Sequence, residues 1–184
     1  GGLRVDPEPL EGAPPHVHLN RHAVEGALEV LRLHARELEG VYHVECIKAD
    51  GTVRGVDDFR NAVTTAGLNY TLNAALSNQT VVTVWYLALV DNAGFTAFAA
   101  ADTMSSHAGW VELQAYSGAT RPAWGNGTAS SGSVTNASTV DFAMNATNTV
   151  KGIYATSVST KGGTTGTLFS TAAFSGGNQS VGNG

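Results

Sequence analysis

Val24, Leu28, Leu31, Ala35 and Leu38 follow one another at intervals of four and three residues. That spacing lines one face of an α-helix. It predicts a helix over 21–39, capped by Asn20 and stopped by Gly40. The stripe suits either packing on the helix's own domain or a short oligomerising coil. Val24, Leu28, Leu31 and Leu38 are its contact candidates. Ahead of it, Pro7, Pro9, Pro14 and Pro15 predict an extended arm over 1–20, because proline removes backbone donors and restricts its neighbours.

After Gly40 the period changes from that of a helix to that of strands. VYHVECIK (41–48) alternates, Asp50-Gly51 signals a hairpin turn, and TVRGV follows. Thr64 or Thr65 is placed to cap a short helix, AGLNYTLNAALS, with Leu68, Leu72, Ala75 and Leu76 on one face. TVVTVWYLALV (80–90) is a continuous β-branched and aromatic run, the pattern of a central strand covered on both faces. Further strands are predicted over 109–116, 133–144, 149–158 and 167–174, separated by GNGTASSG, STKGGTTG and SGGN. Short strands, Gly-rich turns and no strand–helix–strand alternation point to a mainly β chain. The expected fold is an antiparallel sandwich or jelly-roll-like domain over 41–184, with the arm and helix of 1–40 as an anchoring or oligomerising element. The closing Asn183-Gly184 would open a hairpin turn. The expectation is therefore that a last strand is missing, or that the tail pairs elsewhere.

Composition sharpens this picture. The chain has 184 residues, and charged side chains are only 14% of them, against about a quarter in ordinary globular proteins. Residues 1–60 hold 7 basic and 11 acidic side chains, whereas residues 61–184 hold 3 and 4. Such charge depletion suits contact surfaces of permanent assemblies. The net charge of −5 and the lack of a basic block argue against nucleic acid. No apolar run is long enough to span a bilayer, and the first residues lack the pattern of a secretion signal. One cysteine, Cys46, excludes an intrachain disulfide framework.

Several groupings contain the ingredients of chemistry without its spacing. His16, His18 and His22 read as a solvated polar arm rather than a metal site. His43 and Cys46 are three apart on a strand and so face opposite sides. Asp102, Ser105, Ser106 and His107 hold the residue types of a hydrolase triad, yet lie within six residues of sequence with no nucleophile elbow. KGGTTG lacks P-loop spacing, and six N-x-S/T sequons are expected from composition. No catalytic residue, metal ligand or cofactor is assigned. Trp110, Tyr116, Arg121 and Trp124 are the candidate aromatic surface. Core or interface packing and a carbohydrate-binding platform both fit them.

VTTAGLN (63–69), VVTVWYLALV (81–90), AADTMSSHAGWVELQAYSGATRPAW (100–124) and STKGGTTGTLFSTAAFSGG (159–177) resemble, in order and wording, a family of small structural proteins of tailed-bacteriophage virions. The resemblance covers roughly 110 of the 184 residues. It implies a non-enzymatic virion protein, expected to be a capsid decoration or cement protein. Such a protein binds the major capsid protein on the outer shell, as a dimer or trimer, without nucleic acid or membrane. A tail or fibre component that touches the host and a carbohydrate-binding β module are the alternatives. The resemblance supplies no catalytic residues.

Overall fold

A computed structural model describes residues 38–182. The arm, the histidines of 16–22, and Val24, Leu28 and Leu31 lie outside the described residues, as does Asn183-Gly184. Leu38 is described; it is 43% exposed and not helical.

The described chain is mainly β, with antiparallel sheets and one helix. The strands run β1 (Val41–Ile47), β2 (Val53–Arg60) and β3 (Ala62–Val63), then helix α1 (Thr65–Leu76). They continue as β4 (Trp85–Asp91), β5 (Glu112–Leu113), β6 (Ala123–Trp124), β7 (Asn148–Thr156), β8 (Leu168–Ala173) and β9 (Gln179–Val181). β1 and β2 form a two-stranded sheet. The other seven strands form a larger one in the order β3-β8-β7-β4-β5, with β6 also on β4 and β9 also on β7.

β4 is the expected doubly covered strand, although it begins at Trp85 rather than residue 80. Leu87, Ala88, Leu89 and Val90 are all buried, and each of the two leucines and the valine contributes roughly 1.5–3 kcal/mol by leaving water. Alternation sends them to two cores. Leu87 and Leu89 join Ile153, Ala155, Ala172 and Phe174 on one face. Ala88 and Val90 join Met104, Trp110, Tyr154 and Leu168 on the other. The first face is covered by the hairpin, whose Tyr42, Val44 and Phe59 pack inward, Phe59 edge-on to Phe174. The second is covered by the irregular segment that carries Phe95, Phe98, Met104 and Trp110. The second layer over the larger sheet is thus small, a single hairpin helped by loops.

Asp57 fastens that hairpin from its inner face. Its two carboxylate oxygens accept from Ser175 Oγ at 2.5 Å and Gly176 N at 3.0 Å. The Ser175 hydroxyl, aided by the Gly176 amide, holds the Asp57 carboxyl below the usual carboxylate range.

Three expectations are corrected. The segment 133–144 is not a strand. Its alternation is real, since Val140, Phe142 and Met144 pack on the core, but its backbone makes only isolated bridges, Tyr116↔Met144 and Asn126↔Asn136 among them. It covers the sheet by side chains alone. The strand expected over 109–116 shrinks to Glu112–Leu113 because tight turns take its ends. The buried face of α1 centres on Gly67, whereas Ala75 and Leu76 face solvent, Leu76 being 58% exposed. Thr64 caps α1 through Gly67 N, as expected. Gln179–Val181 pair as β9 along β7.

Gly67 explains the shifted face. A Cβ there would lie 2.3 Å from Phe169 O, so α1 sits on β8 at a distance only glycine allows. Replacing a helical glycine by alanine ordinarily stabilises by about 1 kcal/mol. Here overpacking, typically 1–3 kcal/mol, opposes that gain. Gly67→Ala is expected to lower the urea midpoint, with no change in slope. An alanine variant as stable as the parent would show that the helix can move away from β8 at no cost.

Candidate functional site

The low-charge part of the chain, residues 61–184, contains one buried ion pair among the described residues. Arg121 is 1% exposed and Glu112, on β5, has a side chain 6% exposed. Nε and Nη2 of Arg121 donate to the two oxygens of Glu112 at 3.0 and 2.8 Å, a bidentate fork. The remaining donors reach backbone. Nη1 donates to Val158 O and Nη2 also to Gly163 O, both at 2.9 Å. Gly162 N donates to Glu112 Oε2 at 2.6 Å. The backbone of Arg121 adds a bond to Ser159 O at 2.8 Å. The loop 158–163 is thus folded around this pair. Gly162, at φ 71°, supplies the left-handed turn that aims its amide at Glu112.

Lys161, from the same loop, lies 3.7 Å from the centre of the Tyr116 ring and donates to Tyr116 O at 2.8 Å and Gln114 O at 3.2 Å. Arg121 stands over the Tyr154 ring at 5.5 Å. Burial pushes the Tyr116 phenol up to about 12, with the negative charge of Glu112 adding to the effect. Burial and Glu112 raise Tyr154 as well. Burial works against the charge of Arg121, but the bonds to Glu112 together with the fields of Glu112, Tyr154 and Tyr116 outweigh it, and its pKa lies above the ordinary value. At neutral pH the cluster holds an ion pair and two neutral phenols.

The second constellation lies over the opposite core. Asp102 Oδ2 accepts from Trp110 Nε1 and from Ala99 N, both at 2.9 Å. His107 stacks on Trp110, ring centres 4.0 Å apart, and its Nδ1 lies 3.0 Å from Trp110 O. Ser106 N and Ser105 Oγ bond to the Thr103 hydroxyl. The carboxylate therefore serves the indole and not the imidazole, and the serines serve Thr103. These residues fasten the segment 99–110; they do not form a relay of nucleophile, base and carboxylate. His43 and Cys46 face opposite sides of β1, His43 outward and Cys46 inward.

The candidate aromatic surface is corrected by burial. Trp110 and Tyr116 are 2% exposed and Arg121 1%, so none offers a ring or cation to a ligand. Trp124 is half-buried; it pairs across strands with Trp85 and donates to Asn136 Oδ1 at 2.6 Å. Trp110, Tyr116 and Arg121 are packed inside the fold, and Trp124 is partly exposed. Sequence reasoning placed Arg121 beside Trp124 but missed its partner Glu112. The available signal was scarcity: only three bases and four acids share residues 61–184, and a charge kept in such a setting is usually paired. Among the described residues no group of three or more metal-ligating side chains gathers, and no helix is long and apolar enough to cross a membrane.

One long accessible stretch carries no charge. Every residue from Gly125 to Thr139 is exposed. This stretch still has a defined path. Gly127 N and Ala137 N bond across to Thr135 O and Gly125 O at 2.8 Å. Ser131 and Gly132, at φ 52° and 75°, close the turn between Ser130 and Ser133, the conformation of a two-residue hairpin turn. The result is an ordered Ser/Thr/Asn/Gly protrusion standing off β6.

Breaking a buried pair by removing one partner typically costs 3–5 kcal/mol, whereas replacing both by apolar residues is often nearly neutral. Arg121→Met is expected to lose about that much stability in urea unfolding, and Glu112→Leu/Arg121→Met to regain most of it. Equal losses in the single and double variants would mean that the backbone contacts of Arg121, and not its charge, matter. Thr156 Oγ1 is fully buried with no protein partner among the described residues. Thr156→Val should therefore stabilise by about 1 kcal/mol, read as a raised melting temperature. Comparison with protein-family models, with curated proteins and with solved structures finds no match to this chain.

Proposed function

We propose that this chain is a non-enzymatic structural protein of a tailed-phage virion, a capsid decoration or cement protein. It binds the major capsid protein on the outer face of the shell. The observation that carries the reading is how the polar side chains are used. Arg121, Glu112, Lys161 and Asp102 are engaged in fastening irregular loops to the sheet. Outside them lies the uncharged, ordered protrusion of residues 125–139. A rigid β body with a low-charge contact surface is what repeated docking on a symmetric lattice requires, since many copies turn a weak contact into a stable one. The resemblance of residues 63–177 to small virion proteins points the same way. The burial of Trp110, Tyr116 and Arg121 argues against the carbohydrate-binding alternative.

Copy number tests this. Quantitative mass spectrometry of purified virions should find the chain at a simple fraction of the major capsid protein. A ratio matching a single vertex would move it to the tail and make host contact the better reading. Absence from virions would overturn the proposal.

A further inference from the structure

β1 is the outer strand of its hairpin. β2 is the strand that lies against β8, and on β2 Phe59 is buried, while its cross-strand partner Tyr42 is only half-buried. Among the described residues β1 pairs with β2 alone, so its other edge is open. An open edge seven residues long is a template for another strand.

Two bonds fix which backbone groups face that edge. Asn61 N donates to Gly40 O at 3.0 Å, one step before the pair Val41↔Arg60. Lys48 N donates to Thr52 O at 2.9 Å at the far end. Backbone direction alternates along a strand. Gly40, Tyr42, Val44, Cys46 and Lys48 therefore bond toward β2. Val41, His43, Glu45 and Ile47 turn their N–H and C=O outward to the open edge. The same four place their side chains on the solvent face of the hairpin. Val41 is 64% and Ile47 61% exposed, and the side chains of His43 and Glu45 are 59% and 44% exposed.

Read against itself in the antiparallel sense, this edge is complementary. With a two-fold axis at Val44, Val41 meets Ile47 of a second copy, and His43 meets the second copy's Glu45. The outward-turned residues then pair with one another, as hydrogen bonding requires. An axis one residue earlier would set His43 against His43 and Val41 against Glu45. An axis one residue later would set Glu45 against Glu45. Like charges directly opposite destabilise a sheet, whereas apolar and opposite-charge pairs stabilise it. His43 already has Nδ1 2.7 Å from Asp58 Oδ1 and Nε2 3.5 Å from Glu45 Oε1 of its own strand. Its outer nitrogen is thus placed toward the carboxylate that the two-fold would double. Beyond the axis, Val53 lies across from Ile47, so each end of the joined sheet carries an apolar row of Val53, Ile47 and the second copy's Val41.

We infer that two copies of this chain associate through their β1 edges, about a two-fold axis at Val44, into one continuous four-stranded antiparallel sheet. This interface is isologous and independent of the virion reading; either can fail without the other.

The full chain is tested by sedimentation at micromolar concentration, where a dimer is expected. Glu45→Pro removes an edge-facing N–H and leaves the β2 ladder intact, a substitution that edges tolerate. It should keep the β-type circular dichroism and weaken association by about tenfold or more. In a Cys46→Ser background, Val44→Cys should give a disulfide dimer under mild oxidation. In that register the two Cα atoms stand about 4.5 Å apart, within disulfide reach. An axis shifted by one residue separates them by about 8 Å, beyond it. A monomeric parent, or a dimer that neither responds to Glu45→Pro nor cross-links through residue 44, would overturn the inference. Should Glu45→Pro fail to fold, the cross-link alone decides.

Discussion

Much of this molecule depends on a charge that has nowhere else to go. Arg121 is nearly sealed from solvent, and an unpaired guanidinium there would cost several kcal/mol. Glu112 removes that penalty, and the geometry of the fork does more than neutralise. Two donors go to the carboxylate, and the others reach Val158 and Gly163 carbonyls from a loop some forty residues away. The chain between β7 and β8 thereby acquires a fixed path past β5. The larger sheet needs this help, because β5 and β6 are two residues each and supply few ladder bonds of their own. Where ladder hydrogen bonds are scarce, buried side chains must satisfy the backbone.

The same logic runs on the other face. The segment from Asn92 to Gly109 is irregular, and its backbone groups are met by Asp102, Thr103 and Asp91. Trp110 fills the space between it and Tyr154. Gly109 and Gly152 permit the close approach; a Cβ on either would fall within 2.3 Å of a carbonyl oxygen, of Ala97 and Ala172 respectively. These residues resembled chemistry in the sequence because fastening a loop and performing catalysis draw on the same few side chains. Whether a carboxylate meets an indole or an imidazole depends on long-range placement, which spacing along a chain does not encode.

What was legible divides along that line. The mainly β antiparallel class, the cap at Thr64, the Asp50-Gly51 turn and the doubly buried β4 all follow from local period and turn chemistry, and all are present. Segment 133–144 was misread because burial on alternate residues is necessary for a strand but not sufficient. Val140, Phe142 and Met144 obey the period while their backbone lacks a neighbouring strand along most of its length. The buried face of α1 was misread for a related reason. Leu68, Leu72, Ala75 and Leu76 are the apolar choice by composition, but the sheet selects Gly67, because the distance to Phe169 admits no side chain, and Ala75 and Leu76 are left exposed. Glu112 and Arg121 are nine residues apart on no common element, so no period links them.

The hairpin shows how charge is distributed between the parts of the fold. The larger sheet keeps its few charges inside or against backbone. The hairpin carries His43, Glu45, Asp58 and Arg60 outward, interleaved with exposed Val41, Ile47, Val53 and Val56. A solvent face of a sheet has no need of four aliphatic side chains, and an edge left open to aggregation is usually guarded by charged side chains, lysine above all, by proline or by a bulge. Within Val41–Ile47 β1 carries no lysine or proline, and its charge is Glu45 beside His43; the bulge on the hairpin falls on β2, where Gly55 and Val53 flank the unmatched Arg54. The irregularity therefore falls on β2 and leaves the backbone of the β1 edge regular.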